Sequence, residues 1–142
     1  MKVIVASDHG GYNLKTAIVS HLKEKGIDVK DGGPNSTESV DYPDYAKPVA
    51  TAVQNGEYDR GILVCGTGIG MNIAANKYKG IRAALVHDTF SAHATREHNN
   101  SNILNMGERV IGTGLALDIV DIWLNTEFEG GRHERRIEKI EG

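Results

Sequence analysis

A three-layer, doubly wound α/β sandwich, with about five parallel strands covered by helices on both faces, is what the sequence predicts. Short apolar runs alternate about five times with segments of helical periodicity. The runs are apolar throughout rather than at every second residue, as in strands buried on both sides. Glycine-rich turns follow several of them, where strands of such sheets hand over to helices.

Lys2–Ser7 (KVIVAS) is the first strand, stopped by the turn-forming Asp8-His9-Gly10-Gly11. Leu14, Ala17, Ile18 and Leu22 recur at helical spacing over Tyr12–Lys25, and Gly26 stands where a helix commonly closes. Ile27–Lys30 reads as a second strand, and Asp31–Ser36 as a loop. Pro43–Asn55 carries Ala46, Val49, Ala50 and Val53 on one face, and Pro48 is expected to kink this helix or mark its true beginning. Arg60–Cys65 (RGILVC) is a strand, Gly66-Thr67-Gly68-Ile69-Gly70 a glycine loop and Met71–Lys77 a helix. Ile81–Val86 and Asn102–Met106 read as strands, Thr89–Glu97 and Leu115–Leu124 as helices.

At 142 residues the chain fits one domain, 1–142, with no internal repeat or linker. Sixteen Lys+Arg against nineteen Asp+Glu give a net charge of -3, which supplies no cationic field for nucleic acid or anionic lipid. No apolar run approaches the ~20 residues that span a bilayer, and Met1–Ser7 leads into patterned sequence rather than a secretory signal. The expected location is the cytoplasm. A single cysteine excludes an internal disulfide and a multi-thiolate zinc site, so Cys65 is either a small core residue or a reactive thiol.

In open parallel sheets, Rossmann-like ones included, ligands sit outside the carboxyl ends of the strands. That edge receives Asp8–Gly11, the loop through Asp41-Tyr42, Cys65–Gly70 and His87-Asp88. Cys65 precedes a helix whose unpaired N–H groups and dipole favour an anion, so a thiolate is expected there. Gly66, Gly68 and Gly70 allow an anion-binding nest for a phosphate or a developing oxyanion; a plain strand-to-helix connection is the bland alternative. A dinucleotide fingerprint beginning at Gly66 requires glycine at 71, where Met71 stands.

His98, in a polar run at a helix end, is either a proton shuttle or a solvated cap. His21, His87, His93 and His133 read as ordinary. His93 and His98 are five apart and diverge on a helix, and no metal-binding motif occurs, so no metal is expected. Arg132 and Arg136 share a helical face and form either a phosphate clamp or a solvated tail, with His9 a further phosphate donor. A thiolate base, an oxyanion nest, a proton shuttle and a phosphate clamp together suit proton abstraction beside a carbonyl in a small phosphorylated molecule, with no cofactor. Two other classes remain: a sugar-phosphate-binding module without catalysis, and a nicotinamide-dependent oxidoreductase.

Ser7–Tyr12, Glu38–Asp44, Cys65–Met71, Arg96–Asn99, Gly107–Val110 and Gly130–His133 resemble, in the same order, segments of the type B ribose-5-phosphate isomerases and the related galactose-6-phosphate isomerase subunits. The resemblance runs from end to end. It implies that Cys65 moves the proton between C2 and C1 while Gly66, Gly68, Ile69 and Gly70 hold the enediolate. It assigns furanose opening to His98, helped by Thr67 and Asp41, and sugar hydroxyls to Asp8, Tyr42 and Asn99. His9, Arg109, Arg132 and Arg136 match phosphate-binding positions. It further implies a homodimer, often paired into a tetramer, whose site borrows residues matching His98 and Arg109 from the neighbouring chain. Some branches use a glutamate base; Cys65 places this chain in the cysteine branch. Asn72 stands where many relatives have serine. Ribose 5-phosphate is the expected substrate, with galactose 6-phosphate and allose 6-phosphate as alternatives.

Overall fold

The computed structural model describes residues 1–142 and contains one sheet of five strands, all pairs parallel, in the order β2-β1-β3-β5-β4. The strands are β1 (Lys2–Ser7), β2 (Asp28–Asp31), β3 (Arg60–Cys65), β4 (Ala83–Leu85) and β5 (Ile103–Gly107). The helices are α1 (Tyr12–Glu24), α2 (Tyr42–Gln54), α3 (Ile69–Ala75), α4 (Thr89–Asn99), α5 (Thr113–Asn125) and α6 (Arg132–Glu141). No helix is long and apolar enough to cross a membrane.

Alternate residues of the central strands feed two separate apolar cores, which is why these strands read as apolar throughout. Val3, Val5, Ile62, Val64, Leu104 and Met106 pack under α1 and α5, with Trp123 fully buried among them. Ile4, Ala6, Leu63 and Ile103 face α2 and α3 through Ala46, Val49, Ala50 and Met71. The doubly wound expectation holds.

Three details depart from it. Pro48 neither begins α2 nor ends it: the helix starts at Tyr42, has Pro43 in its first turn and continues through Pro48 to Gln54. Pro48 lies on the exposed face, where water can take the carbonyl that proline leaves without a helical donor. The strand expected over Ile81–Val86 shrinks to three residues at the sheet edge, paired only with β5; just before it the Arg82 amide donates to the Asn102 side chain at 2.8 Å. β2 is an edge strand and largely exposed, so its sequence DVKD carries charge.

The chain runs outward from β1 to β2, then crosses back to place β3 on the other side of β1. The carboxyl ends of β1 and β3 therefore flank a topological switch point, the usual ligand crevice of an open α/β sheet. The loop after β2 returns towards this crevice. Buried Lys15 anchors it, with Nζ 3.0 Å from Asp31 Oδ1 and 2.7 Å from the Pro34 carbonyl oxygen.

Candidate active site

At the end of β1, the Asp8 carboxylate accepts from the amides of Gly10 and Gly11 at 2.9 and 3.1 Å, folding the chain into a tight 3-10 turn. His9 leaves this turn exposed. Its Nδ1 accepts from the Val40 amide at 3.1 Å, which fixes the tautomer with the proton on Nε2. The remaining N–H is a donor available to an anion.

The end of β3 supplies the sulfur. Cys65 is 5% exposed, and the Gly68 amide donates to its Sγ at 3.0 Å. Gly68 is the N-cap of α3 with φ +78°, a left-handed conformation that a side chain resists, and this turn aims its N–H back at the sulfur. Thr67 Oγ1 accepts from the Ile69 amide at 3.2 Å, so the loop carries a fixed hydroxyl on its exposed side. The core reading of Cys65 is right about burial, since it packs beside Ile4, Ala6 and Met71. The N–H directed at its sulfur is the feature an inert core cysteine would not need.

Other elements close around this loop. A methyl group at Gly70 would lie 2.9 Å from the Tyr42 ring, which places the start of α2, with the exposed Asp41 before it, against the loop. A methyl group at Gly10 would lie 3.3 Å from the Gly66 nitrogen, and one at Gly66 would lie 3.5 Å from Arg109 Cδ. The Arg109 amide donates to the Gly66 carbonyl at 3.0 Å. Asp8, Tyr42, Gly66–Gly70 and Arg109 thus meet beside Cys65 in one chain, and Asp41 and His9 adjoin them in sequence. Where the resemblance implies that the neighbouring chain lends Arg109, the structure sets Arg109 against the glycine loop of its own chain.

His98, Asn99, Arg132 and Arg136 gather elsewhere. α4 descends from the carboxyl edge, and eleven residues carry the chain roughly 16 Å before His98 and Asn99 appear near its far end. There the Arg96 guanidinium reaches the Ser101 carbonyl at 2.7 Å, just ahead of β5, which marks the amino edge of the sheet. α6 packs on this end of α4: the Glu129 amide donates to the Glu97 carbonyl at 3.1 Å, and the His98 and His133 rings stack at 4.4 Å. The charges of Arg132 and Arg136 both act on His133. A proton moves across about 3 Å, so His98 cannot serve Cys65 of the same chain.

Four further side chains, among them His87 and His133, which read as ordinary in the sequence, are parts of these two clusters. Glu108 donates its amide to the Cys65 carbonyl at 2.9 Å while its carboxylate accepts from the Leu14 amide, joining β3, β5 and α1. His87 Nε2 accepts from the Gly107 amide at 2.9 Å. Glu129 and His133 flank His98, and the three offer ligand atoms within 4.8 Å of one another. That proximity makes them the residues best able to hold a cation, which spacing along the chain did not suggest. The imidazoles of His98 and His133 lie 16° from parallel, however, so their in-plane lone pairs do not converge on one ion. Asn72 finds its partner in Asn105, whose Nδ2 donates to Asn72 Oδ1 at 3.0 Å.

Known proteins share this architecture. Ribose-5-phosphate isomerase B of Escherichia coli is 52% identical over 98% of this chain and 93% of its own length. The structure of Clostridium thermocellum ribose-5-phosphate isomerase B matches with a TM-score of 0.98 at 57% identity, covering 99% of this chain and 95% of that one. The Mycoplasma genitalium ribose-5-phosphate isomerase B, solved with bound ribulose 5-phosphate, matches with a TM-score of 0.94 at 47% identity, covering 99% and 93%. The family model of the ribose/galactose isomerases matches residues 3–140. Both residue clusters fall inside that span, and the chain belongs to the ribose/galactose isomerase family.

Proposed function

We propose that residues 1–142 act as one domain that interconverts ribose 5-phosphate and ribulose 5-phosphate, with Cys65 as the base. The observation that carries this reading is the Gly68 amide directed at Sγ from 3.0 Å within a glycine loop at the sheet's switch point. The substrate's furanose first opens: the anomeric hydroxyl loses its proton and the ring oxygen gains one, with His98 of a second chain, Thr67 and Asp41 as the exchanging groups. Sγ then takes the proton from C2. The electron pair moves into a C1–C2 double bond, and the negative charge on O1 is held by amides of the Gly66–Gly70 loop. Return of the proton to C1, with proton transfer from O2 to O1, gives the ketose. Atoms and charge balance without a cofactor.

His9, whose tautomer leaves Nε2–H free, and Arg109 are phosphate donors from the same chain; Arg132 and Arg136 reach the phosphate from a neighbour. Asp8, Tyr42 and Asn99 receive the sugar hydroxyls. The working unit is therefore a homodimer, alone or paired into a tetramer, and its place is the cytoplasm.

Cys65→Ala tests the base directly. It should lower turnover by roughly 10²–10⁴-fold, the usual contribution of a positioned acid or base, while ribose 5-phosphate still binds. In deuterated solvent the intact enzyme should exchange the C2 proton of ribose 5-phosphate and the variant should not. A panel of aldose phosphates assayed with chelator present addresses the sugar: faster turnover of galactose 6-phosphate or allose 6-phosphate would displace ribose 5-phosphate as substrate.

A further inference from the structure

We propose that His133 is a positioning residue for His98, fixing the plane of its imidazole by stacking while Glu129 holds the Nε2 edge. This rests on the reading of His98 as the group that opens the sugar ring. His98 sits at the end of α4 with 44% of its side chain exposed, so on its own chain it has freedom to swing. Two neighbours limit it. His133 lies ring over ring at 4.4 Å and 16°, and Glu129 Oε1 stands 3.5 Å from His98 Nε2.

His133 is an unusual residue to bury. It is only 7% exposed, and its Nε2 has no hydrogen-bond partner. Within the chain, the contact that this imidazole makes is the stack on His98. Its ring face is the part in use. Burial first, then the charges of Arg132, His98 and Arg136, push its pKa below the ordinary 6.5 against the opposing pull of Glu129. The shift favours the neutral imidazole in the stack. The turn that delivers it is purpose-made in the same sense: Gly130 and Gly131 adopt φ +71° and +60°, and His133 and Glu134 donate their amides back to Gly130 and Gly131 at the start of α6.

The test separates ring opening from proton transfer at carbon. 4-Deoxyribose 5-phosphate keeps the phosphate-to-C2 spacing but lacks the hydroxyl that closes the furanose, so its isomerisation needs no ring opening. His133→Ala should cut kcat on ribose 5-phosphate at least about tenfold with KM little changed, and leave the deoxy substrate's turnover intact. Turnover of the deoxy substrate also reports that the variant is folded. His133→Phe, which keeps a flat ring without nitrogen, should recover most of the loss. An equal loss on both substrates, no loss on ribose 5-phosphate, or a loss that Phe does not recover overturns the proposal. His98→Ala run beside it distinguishes the failures. A selective defect there with none in His133→Ala rejects only the stacking role, whereas no selectivity in His98→Ala rejects the ring-opening assignment itself.

Discussion

His87 shows how a single side chain can hold a loop it does not touch chemically. Its Nε2 takes the Gly107 amide, and Gly107 packs so closely under the glycine loop that a methyl there would lie 2.6 Å from the Thr67 carbonyl carbon. Replacing His87 by Ala leaves a buried N–H without an acceptor, a cost of about 1–3 kcal/mol that chemical denaturation would register. His87→Gln, whose amide oxygen can stand near the lost nitrogen, should restore part of it. The bond also carries a pH signature. Burial is the larger influence on His87 and pushes its pKa below the ordinary 6.5, against the pull of Asp88. A histidine depressed in the folded state contributes stability that is present above its unfolded value and is lost as pH falls through the folded one. Between pH 8 and 5 the parent protein should therefore lose more stability than His87→Gln; parallel curves would show that the imidazole is not the acceptor.

Among the elements, the passage from β3 into α3 bears the greatest demand, and Gly68 is its centre. A side chain there meets both a left-handed φ of +78° and a crowded wall, with the new methyl carbon 2.6 Å from Leu85 Cδ1 and 2.8 Å from the Met106 carbonyl carbon. The conformation alone costs roughly 1–2 kcal/mol, and the Met106 backbone cannot step aside as a side chain can. Gly68→Ala should lower both the unfolding midpoint and turnover, because relief of the clash rotates the amide away from Cys65; unchanged turnover would show that this amide does not matter to the sulfur. Elements of this kind were legible in the sequence. The glycine run after RGILVC announced the loop, and burial on both faces made β1, β3 and β5 readable as continuous apolar runs. The edges were not: β4 is an edge strand of three residues, and the Asn102 side chain that takes the Arg82 amide ahead of it lies 20 positions away. That Pro48 does not begin α2 has a related reason, since propensity does not record that its face of the helix is turned to water.

At the scale of the whole molecule, the candidate residues were legible by type but their division into two groups was not. Alternation of strands and helices put Asp8, Tyr42 and Cys65 at one edge, and that much follows from a parallel sheet. That His98 falls at the opposite edge depends on the length and direction of α4, and that α6 folds onto it depends on Glu129, Gly130 and Gly131. A chain built this way offers half of a site at each end. Two copies related by a two-fold axis can bring the halves together twice, because in such a contact whatever one copy lends it also receives. Mixing variants exposes the arrangement. Cys65→Ala and His98→Ala should each be impaired alone, but a mixed dimer has one site where both defects fall together and one where neither does. Co-refolded at equal amounts, half the dimers are mixed, so ribose 5-phosphate turnover should recover to about a quarter of the parent's. Size-exclusion chromatography run alongside should show the active fraction at dimer size or larger. If the mixture regains no more activity than the sum of the two variants, the site is not shared in this way.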